Sequence, residues 1–220
     1  MLGLDVSSRH AEEERGLETK LGSAVVACIV LAAGRSTRMG VANKLLADVG
    51  GRPMVRRVVE AALASGARPV LVVTGHQGAH VRAALGGLEV TFVDNPSYAV
   101  GLSSSLKAGI GAVPTDCDGA LVLLGDMPLI TGLHLDRLIA AFAANAGIVV
   151  PTHEGRRGNP VLWPRARFAA LLRLEGDTGA KRLLAAHARE LREVDLSTNA
   201  IFADVDTPEA LAELRKPTSC

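Results

Sequence analysis

The sequence predicts an α/β protein with a mainly parallel sheet covered by helices on both faces. Short β-branched runs alternate with Ala-, Leu- and Arg-rich stretches of helical period up to about residue 150, which is the pattern of βαβ units. Two of these runs, VVACIVL at 25–31 and ALVLL at 120–124, are almost continuously apolar. Strands buried on both faces read this way, whereas half-exposed strands alternate. The chain has 220 residues, 48% of them apolar, long enough to build its core without disulfides or a structural metal.

In chain order, the first strand falls at 25–31. A helix follows at 54–64, with Val55, Val58, Val59 and Leu63 on one face. Then come a strand at 70–73, a short helix around 78–85, a strand at 89–93, a helix at 103–112 and the strand at 120–124. A helix at 133–144 carries the apolar stripe Leu135, Leu138, Ile139 and Phe142, and a strand follows at 148–150. Beyond Pro151 the period loosens. A strand fits 161–163 after a Gly-Asn-Pro loop, helices fit 165–172 and 178–187, and strands fit 191–194 and 201–203. The last helix starts at Thr207-Pro208-Glu209, with Thr as N-cap and Pro at the first helical position. We read residues 24–215 as one domain, residues 1–23 as a flexible N-terminal arm or linker, and residues 216–220 as a C-terminal tail.

Charge and composition narrow the function. Lys plus Arg is 24, Asp plus Glu is 23, and aromatics are 3%. A nucleic-acid binder carries a basic excess and aromatic side chains on which bases stack, so no nucleic-acid partner is expected. No apolar run is long enough to span a membrane. Residues 1–23 hold Glu12, Glu13, Glu14 and Glu18 and no apolar secretory core, which with three scattered cysteines suggests a cytoplasmic protein. His76 and His80 stand four apart and read as a surface pair. Trp163 and Tyr98 read as packed positions, with a stacking role as the alternative.

Ligands of open parallel sheets bind outside the carboxyl ends of the strands, so the loops after the strands are where chemistry belongs. The loop after the first strand, LAAGRSTRMGVANKLL at 31–46, combines Gly34 and Gly40 with Arg35, Arg38 and Lys44. Glycines let backbone N–H groups approach an anion, Arg binds phosphate bidentately, and Lys supplies a mobile point charge. These are the parts of a polyphosphate cradle. A Walker A loop and a dinucleotide fingerprint both fail on spacing. Asp126 ends an apolar strand, where a carboxylate is costly unless paired or bound to metal.

The segment LAAGRSTRMGVANKLL resembles the signature of the MobA/MocA-like nucleotidyltransferases. VLLGDMPLI, NPSYAVGLSSSLKAGI, RRGNPVLW, EGDTGAKRLL and DVDTPEAL resemble further segments of that family, in order, over about residues 25–212. Ala33 and the run Gly125-Asp126-Met127-Pro128 resemble its molybdopterin cytidylyltransferase branch, while Asn159 stands where His is common. The resemblance implies a Rossmann-like three-layer α/β/α nucleotidyltransferase fold. It implies transfer of CMP from CTP to molybdopterin with release of pyrophosphate, with a molybdoenzyme or its chaperone as the onward partner. GTP or another NTP, a different phosphorylated acceptor, and a non-catalytic binding protein on the same fold remain as alternatives.

Carried onto this sequence, the resemblance implies Arg38, Lys44 and Asp126 as the catalytic set. Leu31, Ala32, Ala33, Gly34, Arg35, Arg38, Lys44, Gly101, Ser103, Ser104 and Gly125 would contact the nucleotide. Ser103 and Ser104 serve equally well as helix caps. Asp126 and Asp206 would hold Mg2+, which favours one or two carboxylates completed by phosphate oxygens and water. Asp206 also fits ordinary capping chemistry. Asn159 and Asp177 would face the acceptor.

Overall fold

The computed structural model describes residues 24–35, 43–176 and 179–215. Among these residues eight strands form one sheet: β1 Val26–Ala32, β2 Val70–Thr74, β3 Thr91–Asp94, β4 Gly119–Leu124, β5 Ile148–His153, β6 Arg156–Arg157, β7 Val161–Pro164 and β8 Leu191–Asp195. Their order is β3-β2-β1-β4-β7-β5-β6, with β8 beside β5. The pairs β1–β2, β1–β4, β2–β3 and β5–β8 are parallel; β7 runs antiparallel to both β4 and β5. The helices are α1 Met54–Leu63, α2 Gly78–Ala84, α3 Leu102–Gly111, α4 Gly132–Ala144, α5 Phe168–Leu171, α6 Gly179–Ala186 and α7 Pro208–Leu214.

The expected layering follows from the continuous apolar strands. All seven residues of β1 are buried. Its alternate side chains feed two cores. Cys28, Val30 and Ala32 join Val55, Val58 and Val59 of α1 and Leu135, Leu138 and Phe142 of α4. Ala27, Ile29 and Leu31 join Leu106 and Ile110 of α3 and Phe168 and Leu171 of α5. Trp163 is buried in the second core. Among the described residues, no helix is long and apolar enough to cross a membrane.

Helix α3 approaches β1 closely because Gly109 has no side chain. A Cβ there would lie 2.5 Å from Ile29 Cγ2 and 3.1 Å from Val73 Cγ2. Gly109→Ala is therefore an overpacking change in a filled core, with an expected loss of roughly 1–3 kcal/mol in denaturant unfolding. An unchanged midpoint would mean that α3 can lift off the sheet at no cost.

Most elements lie where the sequence puts them, within a residue or two. Three differ. The run 201–203 is not a strand. Asn199–Phe202 is a 3-10 turn, opened by Thr198, whose side chain accepts from Ala200 N–H. Its apolar residues Ala200 and Ile201 are buried by packing under the sheet, so burial there needs no strand pairing. The helix expected over 165–172 is split, with a 3-10 turn at Arg165–Arg167 before α5. The strand at 148–150 extends to His153 and turns back through the short β6.

This topology fixes where a ligand edge falls. From β1 the chain crosses to β2 on one side, and β4 lies on the other side. The carboxyl ends of β1 and β4 therefore flank the point where the winding reverses, the crevice position of open α/β sheets. Val161 pairs with Val122, so the start of the antiparallel β7 lies beside the end of β4, on the same edge.

Candidate active site

Several chain segments distant in sequence meet at that edge. The end of β1 brings Leu31, Ala32 and Ala33, all buried, followed by exposed Gly34 and Arg35. Gly125 closes β4 against β1. Its N–H donates to Leu31 O at 3.0 Å, and a Cβ on it would lie 2.9 Å from that oxygen and 3.6 Å from Ala32 Cα. Glycine here is what lets the two strand ends touch and sets Asp126 immediately beyond. Arg38, Gly40 and Asp177, named from the sequence, lie outside the described residues.

Lys44 opens the 3-10 turn Lys44–Leu46. Asn43 caps that turn, its side-chain oxygen accepting from Leu45 N–H. The loop before α7 brings Asp206, and Val205 N–H donates to Asp126 O at 3.0 Å, tying this loop to the end of β4. Thr207 caps α7 through Ala210 N–H, as the sequence predicts. These pieces converge on one ion-pair cluster. Lys44 Nζ donates to Asp126 Oδ2 at 2.6 Å and to Asp206 Oδ1 at 2.5 Å. Residues 82 and 162 positions away from Lys44 thus share its ammonium.

The electrostatics of the cluster follow from its burial. The Lys44 and Asp126 side chains are 13% and 15% exposed, that of Asp206 37%. Burial pushes the Asp126 carboxyl above its ordinary value, and the Lys44 ammonium only partly offsets this. Burial works the other way on Lys44, favouring the neutral amine, but the two carboxylates outweigh it and the ammonium is held more firmly than usual. Asp126 Oδ1 is buried and has no hydrogen-bond partner among the described residues. A carboxylate oxygen left so is costly unless something cationic meets it. With Asp206 beside it, the donor set is two hard oxygen ligands, which fits a divalent cation of the Mg2+ type. Among the described residues no group of three or more His, Cys, Asp or Glu could hold a metal. Two carboxylates with the balance from phosphate and water is the way Mg2+ is usually held.

The opposite wall comes from β2 and from the segment after β3. Gly75 is another close approach; a Cβ there would meet Tyr98 Cβ at 2.6 Å and Ala33 Cβ at 2.9 Å. His76 N–H donates to Ala33 O, and the His76 and Tyr98 rings lie 5.9 Å apart. Tyr98 is thus half-buried at the rim of the crevice, against the core but not within it. Gly101 adopts φ 124°, a conformation that favours glycine, and leads into α3. Ser104 Oγ donates to Gly101 O at 2.8 Å. Ser103 and Ser105 are buried.

Asn95 organises this wall, and sequence reasoning missed it. Its amide nitrogen donates to Ser104 Oγ at 2.9 Å and Ser105 Oγ at 3.0 Å, and its oxygen accepts from Ser97 N–H at 3.0 Å. The available signal was an Asn-Pro pair directly after a strand, which reads only as a turn. Asn159 lies two residues before β7, with its N–H on Ile201 O at 3.0 Å. The edge therefore gathers Leu31 to Arg35, Lys44, Gly101 to Ser104, Gly125, Asp126, Asn159 and Asp206.

A crevice at the winding reversal of a parallel sheet, with a glycine-bearing loop, a lysine and two carboxylates, has the chemistry to receive a nucleotide and a divalent cation. Comparison with known proteins gives the family: the chain belongs to the MobA-like NTP transferase domain family, whose model matches residues 28–191. It is 31% identical over 184 residues to the molybdenum cofactor cytidylyltransferase of Escherichia coli, a match covering 83% of this chain and 91% of that protein. It is 38% identical over 137 residues to the bifunctional protein GlmU of Halorhodospira halophila, covering 60% of this chain. The chain spans only 28% of that relative's length. Among solved structures it is similar to Rv0371c from Mycobacterium tuberculosis, with a TM-score of 0.79 at 26% identity, covering 88% of this chain and 98% of that one. The same protein has also been solved in complex with manganese, with a TM-score of 0.76 at 27% identity, covering 87% and 98%.

Proposed function

We propose that this chain transfers CMP from CTP to the terminal phosphate of molybdopterin, releasing pyrophosphate, with Mg2+ as the working metal. The observation that carries the reading is the match to a molybdenum cofactor cytidylyltransferase along nearly its whole length. The remaining site assignments are part of the same proposal. They are supported by the convergence of sequence-distant residues on one crevice. The reaction belongs in the cytoplasm, and a molybdoenzyme or its chaperone would take the product.

An oxygen of the acceptor phosphate attacks the α-phosphorus of CTP. The new P–O bond forms as the bond to the β-phosphate oxygen breaks in line, and pyrophosphate leaves. Little covalent help is needed; alignment and charge neutralisation supply the acceleration. Asp126 and Asp206 would hold the metal, which when bound would neutralise phosphate charge. Lys44 places its ammonium on the α-phosphate or the leaving group, and Arg35 and Arg38 hold the outer phosphates. Ala32 and Ala33 leave room for base and ribose. Asn159 and Asp177 orient the acceptor.

The test is pyrophosphate release with Mg2+ and molybdenum-loaded molybdopterin, comparing CTP with GTP, ATP and UTP. Release with CTP alone is the expected result. Release with GTP would keep the chemistry and overturn the cytidylyl assignment. No release with any nucleotide, from folded protein, would point to another phosphorylated acceptor or to a binding protein.

A further inference from the structure

Lys44 is placed differently from what its proposed role in transfer requires. A lysine serving the α-phosphate should face the triphosphate. Here its ammonium bridges the two carboxylates that the metal would need, at 2.6 and 2.5 Å. A divalent cation in contact with both carboxylates and an ammonium in contact with both are alternatives, because the two like charges would sit within a few ångströms in a half-buried setting. The ammonium can leave by rotating its flexible four-carbon stem. The turn that carries it is held by the Asn43 cap. Its departure strips a buried cation of two counterions, so it becomes favourable when another anion, the triphosphate, receives it.

We propose that Lys44 is a resident cation that keeps the metal site closed until nucleotide arrives, so that metal and nucleotide load together. This rests on the reading of the crevice as a metal–nucleotide site. It adds a defined thermodynamic property: nucleotide and metal each raise the other's affinity, by the same factor. Part of that factor comes from moving one lysine and is additional to direct ligation of metal by phosphate. The nucleotide-free protein should bind divalent metal weakly although both carboxylates are in place.

The probe is Mn2+, titrated into nucleotide-free protein and followed by electron paramagnetic resonance, with no acceptor present. Lys44→Met removes the charge. Lys44→Gln keeps a hydrogen-bond donor for the carboxylates and guards against a folding failure; circular dichroism establishes that each variant is folded. Both should bind Mn2+ more tightly than the wild type, by on the order of tenfold or more, as expected for removing a like charge at contact. Lys44→Arg, which keeps the charge, should stay weak, and Asp126→Asn should abolish binding in any background. The proposal is overturned if folded Lys44→Gln binds Mn2+ no more tightly than the wild type. It also fails if Lys44→Arg gains affinity as much as Lys44→Gln. Neither outcome depends on which nucleotide or acceptor the enzyme uses, so the gate and the proposed reaction stand or fall separately.

Discussion

Asp126→Asn should reduce nucleotidyl transfer by roughly a thousandfold while leaving the protein folded. The size follows from what the carboxylate does in the proposed mechanism. Loss of a single well-placed electrostatic group in an active site costs about 10²–10³ in turnover, and losing a metal ligand adds the loss of the metal's own charge stabilisation. The amide keeps the shape of the side chain, so the strand-end contacts survive: Gly125 N–H on Leu31 O and Val205 N–H on Asp126 O are both backbone bonds. Asp206 still holds the Lys44 ammonium. Pyrophosphate release gives the rate, and a denaturant titration gives the stability. A variant that keeps more than about a tenth of the wild-type turnover would remove Asp126 from the metal-holding role, since a ligand loss predicts far more.

Asp126 was legible in the sequence because one charged residue ending an apolar strand is physically conspicuous. Lys44 reads in the sequence as a cation of the crevice loop, yet its contact with two carboxylates has no local signal. Its two partners lie on separate loops that only the sheet order brings together. Asp206 was visible only as part of a helix-capping pattern, and the same residues perform that capping, through Thr207. The serines after Gly101 were open to two roles; in the structure Ser104 and Ser105 are engaged by Asn95 and Ser104 also donates to Gly101 O.

Strand and helix order were readable because apolar runs and helical periods are local signals. What failed was the part that depends on distant packing. Ile201 reads as strand because it is apolar, yet it is buried by a turn under the sheet. The antiparallel direction of β7 has no local signature at all. It nevertheless decides that Asn159 reaches the same edge as Asp126.

That junction supplies the second large effect. Gly158→Ala should lower stability by about 1–3 kcal/mol, as overpacking does, and lower transfer by about a hundredfold, as misplacement of a reacting group by an ångström does. A Cβ on Gly158 would lie 2.5 Å from Ile201 O and 2.8 Å from Ile201 Cγ1. Ile201 is 1% exposed and has no room to retreat, so the backbone must separate. The same carbonyl accepts from Asn159 N–H, while Gly158 N–H donates to Pro151 O. Separation therefore shifts both the start of β7 and the segment running from Ile201 toward Asp206. That segment is tied to Asp126 through Val205 and to Lys44 through Asp206, so strain at Gly158 reaches both carboxylates. Gly111→Ala is the control: a Cβ there meets nothing within 4 Å, and Gly111 is still a helical residue of α3, where alanine has the higher propensity. Its stability and turnover should match the wild type or exceed it slightly. If Gly158→Ala loses the expected stability but keeps full turnover, the position of Asp206 is not set through Ile201. The loop before α7 then keeps its place through its own ties to Asp126 and Lys44.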